Sequence, residues 1–345
     1  MTDDIALFLW AGSESVSGGR CKIAWPIVCA PKDNGGLGIP DLRILGYALR
    51  LRWEWLRRTK PDSTWALLPS TPERKISSMF SSSVTVEIGD GASTRFWTDA
   101  WLPAGAIPTF APNLFKAVGG RRLGRSVKDA LTDRRWVRDI TGAHTATVLY
   151  EYVQLWARLQ DVQLRPLESD RFIWRWSADG QYSVRSAYRA YFVGWTSMAG
   201  AKELWRAAVP PKVKSYFWIA LHGRLWTAER RKRHGLQLDA ACALCDQLDE
   251  TTDHLLCSCV YACEAWSRLL HSLGSLAAAP QQDSSLLDWW LLGRATLPQA
   301  LRRSFDSLVL LVSWCLWKER NCRTFDRRSL TQPELLCCIP DEANA

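Results

Sequence analysis

The stretch Cys242-Ala243-Leu244-Cys245, followed after eight residues by His254-Leu255-Leu256-Cys257-Ser258-Cys259, decides how the centre of this chain folds. It contains four side chains that can bind a metal ion: Cys242, Cys245, His254 and Cys259. Zn²⁺ prefers a closed tetrahedron of thiolate sulfur and imidazole nitrogen, and a CxxC turn presents two sulfurs from one tight loop. The spacing therefore predicts a structural zinc site. Because protein ligands fill all four positions, no position remains for a catalytic water.

Two neighbouring cysteines leave the ligand set open at this stage. The chain has eleven cysteines, and a free cysteine is often a small buried apolar residue. Cys257 lies close enough to His254 and Cys259 to replace one of them, and Cys263 follows shortly after. Both remain alternative ligands, although the CxxC and HxxxxC spacing leaves them most naturally as buried filler residues.

The composition indicates a globular protein in a reducing compartment. Of the 345 residues, 47% are hydrophobic and 23% are charged, which allows two or three domains with a sizeable core. No segment has the pattern of a signal peptide, and no apolar run is long enough to cross a membrane. Without a secretory signal, the cysteines indicate reduced thiols plus a metal site. We therefore expect the cytoplasm or the nucleus.

The net charge of +9 suits a polyanionic partner, although a charged and solvated surface also explains it. The densest basic run, from Arg230 to Arg233, lies just before the predicted zinc ligands. Trp226 is the best of the twenty tryptophans for stacking on a nucleic acid base. The predicted nucleic-acid-binding residues are Arg224, Trp226, Arg230, Arg231, Lys232 and Arg233.

The hydrophobic pattern predicts a mainly α fold with short β-hairpins (α+β), in which a small zinc-stapled helical domain has helical flanks. Alternating residues and turn signals predict one hairpin over 84–97, with its turn at Asp90-Gly91, and a second over 172–182. Tryptophans beside these elements are expected to anchor the core.

Helical periodicity and caps predict further elements. A helix over 41–58 is expected to bury one face, made of Leu42, Leu45, Leu49 and Trp53. Other helices are predicted from Ser183, over 211–223, from the cap Thr227 to Gly235, and over about 263–273. A long helix over 297–323 is expected to bury Leu301, Phe305, Leu308, Val312 and Leu316.

An ordered set of motifs resembles the zinc-binding domain of plant LINE-type retrotransposon reverse transcriptases. The motifs are Tyr182-Ser183-Val184-Arg185-Ser186-Ala187-Tyr188, Trp205, Val209-Pro210-Pro211-Lys212-Val213-Lys214, Phe217-Trp218, Gly223-Arg224-Leu225-Trp226-Thr227, Cys242-Ala243-Leu244-Cys245, Glu250-Thr251, His254-Leu255-Leu256, Cys259 and Trp266. The resemblance covers about residues 171–268 and includes every predicted ligand. It implies a bound Zn²⁺ and the same four ligand residues.

The flanking sequences resemble the same family. They imply a segment following the polymerase palm over 1–60, including Phe8-Leu9-Trp10 and a thumb-like helix, and a connector with a hairpin over 61–170. The zinc-binding domain would occupy 171–268, and a linker with a C-terminal helix, including Trp317-Lys318-Glu319-Arg320-Asn321, would occupy 269–345.

The polymerase active site is not expected in this chain. A reverse transcriptase needs palm carboxylates that hold two Mg²⁺ ions. Asp3 and Asp4 lack the preceding strand and aromatic residue of such a pair, and no endonuclease or ribonuclease H region is recognisable. We therefore expect a non-catalytic C-terminal fragment that binds element RNA or target DNA, with the polymerase portion as a further partner. The alternative is a structural or protein-interaction zinc module.

Overall fold

The computed structural model describes residues 22–64, 73–142, 145–272, 274, 279–281 and 284–344. Asp3, Asp4 and the Phe8-Leu9-Trp10 motif lie outside these residues. The chain divides into two compact units. Unit 1 comprises Met1–Asp41 with Gly194–Ala345, and unit 2 comprises Leu42–Val193. Within the described ranges, no helix combines the length and apolar character needed to cross a bilayer.

The described elements are mostly helices, in agreement with the predicted fold class. In chain order the α-helices are α1 (Trp25–Cys29), α2 (Leu42–Thr59), α3 (Arg74–Ser83), α4 (Ile107–Phe110), α5 (Pro112–Lys116), α6 (Val127–Leu131), α7 (Ala146–Leu159), α8 (Val184–Ala190), α9 (Ala201–Arg206), α10 (Pro211–Leu221), α11 (Ala228–Arg233), α12 (Val260–Ser272), α13 (Leu286–Thr296), α14 (Gln299–Asn321) and α15 (Gln332–Asn344). Short 3₁₀ segments lie at Lys32–Asn34, Gly120–Arg122 and Thr132–Asp139, and π-helical turns lie at His254–Ser258 and Cys322–Asp326. The strands are β1 (Val84–Glu87) and β2 (Arg171–Trp174).

The small sheet of unit 2 joins two segments that are distant in sequence. β1 and β2 pair antiparallel, with Val84 opposite Trp174 and Glu87 opposite Arg171. The strand pairing of both predicted hairpins is therefore wrong. The first strand of one hairpin, β1, pairs with the first strand of the other, β2. The tight turn of the second hairpin is present, since Gly180 has a φ of 68° and its carbonyl accepts from Trp174 N–H at 2.8 Å.

The carboxylate of Asp170 explains why β1 does not form a local hairpin. Its oxygens accept hydrogen bonds from four residues of the loop after β1: Gly89, Gly91, Ser93 and Thr94. Burial opposes ionisation of Asp170, but these hydrogen bonds outweigh it and lower its pKa. The loop therefore wraps around a carboxylate that immediately precedes β2. The returning segment instead inserts Phe96 and Trp97, both fully buried, into the core.

Helix α2 buries a different face from the one predicted. Ala48, Leu51 and Trp55 are buried, whereas Leu49 is 47% exposed and Trp53 is 50% exposed. Apolar residues occupy both sides of this helix, so helical periodicity alone does not identify the buried side. α2 packs against α3 and α8, and these contacts select the face that contains Leu51.

Unit 1 is organised around the long helix α14. It packs against α9, α10, α13 and α15, and it buries Phe305, Val312 and Leu316 as predicted. Leu301 was expected in the core but is 52% exposed, because it lies in the first turn of the helix. Helices α13 and α15, which the sequence analysis did not predict separately, cover the remaining apolar sides of α14. The predicted caps are present, since Ser183 and Thr227 accept from the N–H groups of Ser186 and Arg230.

The corrected face of α2 leads to a test with a matched control. Leu51→Ala removes a fully buried side chain and should lower the free energy of unfolding of unit 2 by about 2–5 kcal/mol. Leu49→Ala, two residues away and half-exposed, should change it by less than about 1 kcal/mol. Urea unfolding of the two variants distinguishes the faces, and equal losses would contradict the assignment.

Candidate metal centre

A tight loop presents the two cysteines of the CxxC motif. The Cys242 N–H donates to the Leu248 carbonyl at 2.9 Å, and the Asp246 N–H donates to the Cys242 carbonyl at 2.8 Å. Asp246 has a φ of 56°, a left-handed conformation that aspartate tolerates better than most residues. The loop thus reverses direction immediately after Cys245, so that both sulfurs lie on its inner side.

A single π-helical turn presents the other two ligand side chains. The Cys259 N–H donates to the His254 carbonyl at 2.7 Å, across the five-residue spacing of a π-helix. The Oγ1 of Thr251 accepts from the His254 N–H at 3.0 Å and so anchors the start of this turn. The HxxxxC spacing in the sequence therefore corresponds to one hydrogen-bonded turn.

The four side chains meet at one point. Their ligand atoms all lie within 4.8 Å of one another. The sulfurs of Cys242 and Cys259 are 3.9 Å apart, and Cys245 Sγ is 3.3 Å from His254 Nε2. A tetrahedral zinc ion with Zn–S bonds of about 2.3 Å requires sulfur–sulfur separations of about 3.8 Å. The residues present therefore fit a zinc ion, and they offer the soft donors that zinc prefers.

The Cys242 thiol needs a cation to ionise. A hydrogen bond with the Cys259 sulfur, together with burial, raises the pKa of Cys242 to about 12. A metal ion that binds here must therefore displace a proton and balance the thiolate charge.

The alternative ligands Cys257 and Cys263 are not part of this cluster. Cys263 donates its thiol to the Cys257 carbonyl at 2.9 Å, which directs its sulfur to the backbone. Cys257 is fully buried, and burial raises the pKa of its thiol well above the ordinary value. Both residues act as packing residues beside the cluster. The cysteines in the described part of the chain are all free thiols.

A buried ion pair lies next to the loop that carries the CxxC motif. Glu250 and Arg320 are 0% and 2% exposed, and the Arg320 guanidinium contacts the Glu250 carboxylate at 2.7 Å. The same carboxylate accepts from the Ala228 N–H at 2.7 Å, at the start of α11. Arg323 also donates to the carbonyl of Leu244, between the two cysteines, at 3.0 Å. Arg320, at the end of α14, therefore holds Glu250 and with it the beginning of α11, and Arg323, in the π-helical turn that follows α14, holds the CxxC loop.

Trp266 packs beneath the π-helical turn. Its side chain is fully buried, and its indole N–H donates to the Leu256 carbonyl at 2.8 Å. Leu255 and Leu256 are also fully buried. The turn that carries His254 is therefore fixed by an aromatic side chain from α12.

The six predicted nucleic-acid-binding residues have different environments. Arg224, Lys232 and Arg233 are exposed, and Arg233 forms an ion pair with Glu229 on the same helix. Arg230 is only 6% exposed; it donates to the Arg224 carbonyl and lies 4.6 Å from the Trp226 ring centroid. Arg231 is half-buried over Phe325. Only three of the six cationic and aromatic side chains therefore present a large surface to solvent.

Neither Arg320 nor Arg323 was predicted from the sequence to shape this site. Arg320 was quoted only within the Trp317-Lys318-Glu319-Arg320-Asn321 motif. A signal was available, because Arg320 follows the apolar run of α14 from Leu308 to Leu316, and a charged residue that such a helix buries has to find a buried partner. The partner of Arg320 lies seventy residues earlier in the chain, and only the fold brings the two together.

The ligand assignment has a direct test. Wild-type protein should retain one equivalent of zinc after dialysis, and Cys245→Ser should lose it, because hydroxyl oxygen is a poor zinc ligand. Cys263→Ser is the matched control and should retain the metal, since its hydroxyl can still donate to the Cys257 carbonyl. Metal content by atomic absorption decides the question. A Cys245→Ser protein with a full equivalent would contradict the assignment.

The buried ion pair can be tested in the same way. Glu250→Gln leaves the Arg320 charge buried without a counter-charge, and it should lower the free energy of unfolding by about 3–5 kcal/mol. Glu87→Gln is a control, because Glu87 pairs with Arg171 on the surface and should contribute at most about 1 kcal/mol. Urea unfolding gives both values. A loss below about 1 kcal/mol for Glu250→Gln would contradict the role of the pair.

Comparison with known proteins agrees with this geometry. Residues 182–266, which contain all four clustered side chains, match the family model described as zinc-binding in reverse transcriptase. The chain is 27% identical, over 358 aligned residues, to a protein of Arabidopsis thaliana described as a putative ribonuclease H protein. The alignment covers 91% of this chain and 54% of that relative, so the chain spans about half the length of the relative. No solved structure matches this chain.

Proposed function

We propose that this chain is a non-catalytic zinc-binding part of a LINE-type retrotransposon reverse transcriptase of a plant, and that it binds nucleic acid. The observation that carries the proposal is the cluster of Cys242, Cys245, His254 and Cys259, whose ligand atoms lie within 4.8 Å inside the matched segment. The partner would be element RNA or target DNA. The nucleus and the cytoplasm are reducing compartments, and a protein located in either would keep these cysteines as thiols.

A bound zinc ion would support nucleic acid binding because it would fix the position of α11. The Ala228 N–H, at the start of this helix, donates to Glu250, and the Glu229 N–H donates to the Glu250 carbonyl at 3.4 Å. Glu250 closes the loop that carries the CxxC motif. A zinc ion that fixes this loop therefore also fixes the helix that presents Lys232 and Arg233.

The charge of the chain supports a polyanionic partner. Its net charge is +9, and Arg224, Lys232 and Arg233 are exposed on or beside α11. Each cation that neutralises a phosphate releases condensed counterions, so that binding weakens as salt rises. The site has no role for a metal-bound water, because four protein ligands complete the tetrahedron. We therefore propose binding rather than catalysis.

A second candidate function is a structural or protein-interaction module. It is favoured by the burial of Arg230 and by the surface ion pair between Arg233 and Glu229, because each contact engages a basic residue with another group of the same chain. In that case the polymerase portion of the element protein would be the partner.

Nucleic acid binding distinguishes the two functions. Zinc-loaded protein should bind a labelled 20-nucleotide RNA, or a DNA duplex of the same sequence, at ~50 mM salt. Simultaneous replacement of Arg224, Lys232 and Arg233 by alanine should weaken binding and reduce the slope of log affinity against log salt by about two for single-stranded RNA. Fluorescence anisotropy over ~50–200 mM salt gives this slope.

The control variant also loses three positive charges, at positions away from α11. Arg165, Arg171 and Arg268 are also exposed, and each pairs with a carboxylate. Their simultaneous replacement by alanine should leave the salt slope unchanged. Absence of any binding by the zinc-loaded wild-type protein at ~50 mM salt would contradict nucleic acid binding and favour the interaction module.

A further inference from the structure

A cationic cluster in unit 1 lies outside the basic run that the sequence analysis selected. It consists of Lys32, in the first 3₁₀ segment; Lys214, in the first turn of α10; and Arg303, in α14. The Lys32 ammonium lies 5.0 Å from the ring centroid of Trp205. Burial lowers the pKa of Lys214, and the charges of Lys32 and Arg303 lower it further. Three separate elements therefore bring positive charges close together.

These charges have no carboxylate partner among the residues that the structure describes. None of the ion pairs found there involves Lys32, Lys214 or Arg303. The contrast with Lys212 is direct, because Lys212 lies two residues before Lys214 and forms an ion pair with Glu342 at 3.5 Å. Like charges that remain unpaired repel one another, and a bound anion would relieve that repulsion.

Two residues of the cluster, Lys214 and Arg303, also have a structural role, but that role uses only some of their donors. Lys214 donates to the Trp205 carbonyl at 3.1 Å, and Arg303 donates to the Arg206 carbonyl at 3.0 Å. These contacts satisfy the last carbonyls of α9. They use one of the three ammonium donors and one of the five guanidinium donors, so most of the donors stay available. Lys32 makes no such contact.

The indole of Trp205 is an independent observation at the same place. Its N–H is buried and has no hydrogen-bond partner within the described ranges. Buried donors are nearly always paired, so an unpaired one is a candidate for contact with an oxygen that the protein itself does not supply. The Lys32 ammonium lies over this indole ring and Lys214 donates to the backbone carbonyl of the same residue, so the cations meet around Trp205.

We infer that Lys32, Lys214 and Arg303, which meet around Trp205, form a second binding site for the phosphate groups of a nucleic acid backbone, on elements other than α11. The inference rests on the proposed function, because it assigns a further contact to the same partner. The exposed Lys32 and Arg303 give a chain of phosphates access to the half-buried Lys214. A backbone contact of this kind contributes affinity without sequence preference.

The test compares two lysines on one helix. Lys214→Gln removes the charge but retains a donor for the Trp205 carbonyl. Lys212→Gln makes the same chemical change at a lysine that already has a carboxylate contact, with Glu342. Lys214→Gln should weaken binding of the 20-nucleotide RNA by about tenfold at ~50 mM salt and reduce the salt slope by about one. Lys212→Gln should bind like wild type. Lys32→Gln and Arg303→Gln should behave like Lys214→Gln.

A charge-conserving variant and a second anionic probe separate the outcomes. Lys214→Arg keeps the positive charge and should bind RNA with the affinity and salt slope of wild type. If Lys214 had only a structural role, the salt slope would not depend on the charge at this position. If wild-type protein binds RNA and Lys214→Gln equals Lys212→Gln, the second site is wrong while the proposed function stands. Failure of wild-type protein to bind RNA or DNA overturns both. Binding of tripolyphosphate that depends on Lys214, without such dependence for nucleic acid, would overturn the assignment to a nucleic acid backbone.

Discussion

The Glu250 carboxylate and the Arg320 guanidinium meet in the interior of unit 1, and the geometry of the metal centre depends on this contact. A buried carboxylate and a buried guanidinium each lose much of their hydration, so neither is tolerated without the other. Glu250 satisfies the N–H of Ala228 as well as Arg320, and Arg323 satisfies the carbonyl of Leu244. The end of α14 and the π-helical turn that follows it therefore fix both the CxxC loop and the start of α11.

The metal ligands lie on two pieces of backbone with different hydrogen-bond patterns. The CxxC cysteines sit on a loop that reverses at Asp246, and His254 and Cys259 are joined by a π-helical turn. A zinc ion would join them directly, while Trp266 packs beneath the second piece. Metal binding and local folding are thus expected to be coupled.

Features that depend on neighbouring residues were predicted correctly from the sequence, and features that depend on distant residues were not. The start of α8 and both ends of α10 and α11 depend on neighbouring residues, and they were predicted within a few positions. The pairing of β1 with β2 depends on Asp170, which lies about eighty residues from the loop that it binds. The buried face of α2 could not be chosen because both sides carry apolar residues. In each failure the deciding partner is distant in sequence.

The sequence by itself determined the four clustered side chains, the helical character of the chain and its positive charge, because ligand spacing, periodicity and composition are local properties. The tertiary structure alone decided which basic residues are exposed, since Arg230 is buried against Trp226 whereas Lys232 is not. It also decided that Lys32, Lys214 and Arg303 form one cluster. These residues lie on three elements far apart in the chain, and only the packing of those elements brings their charges together.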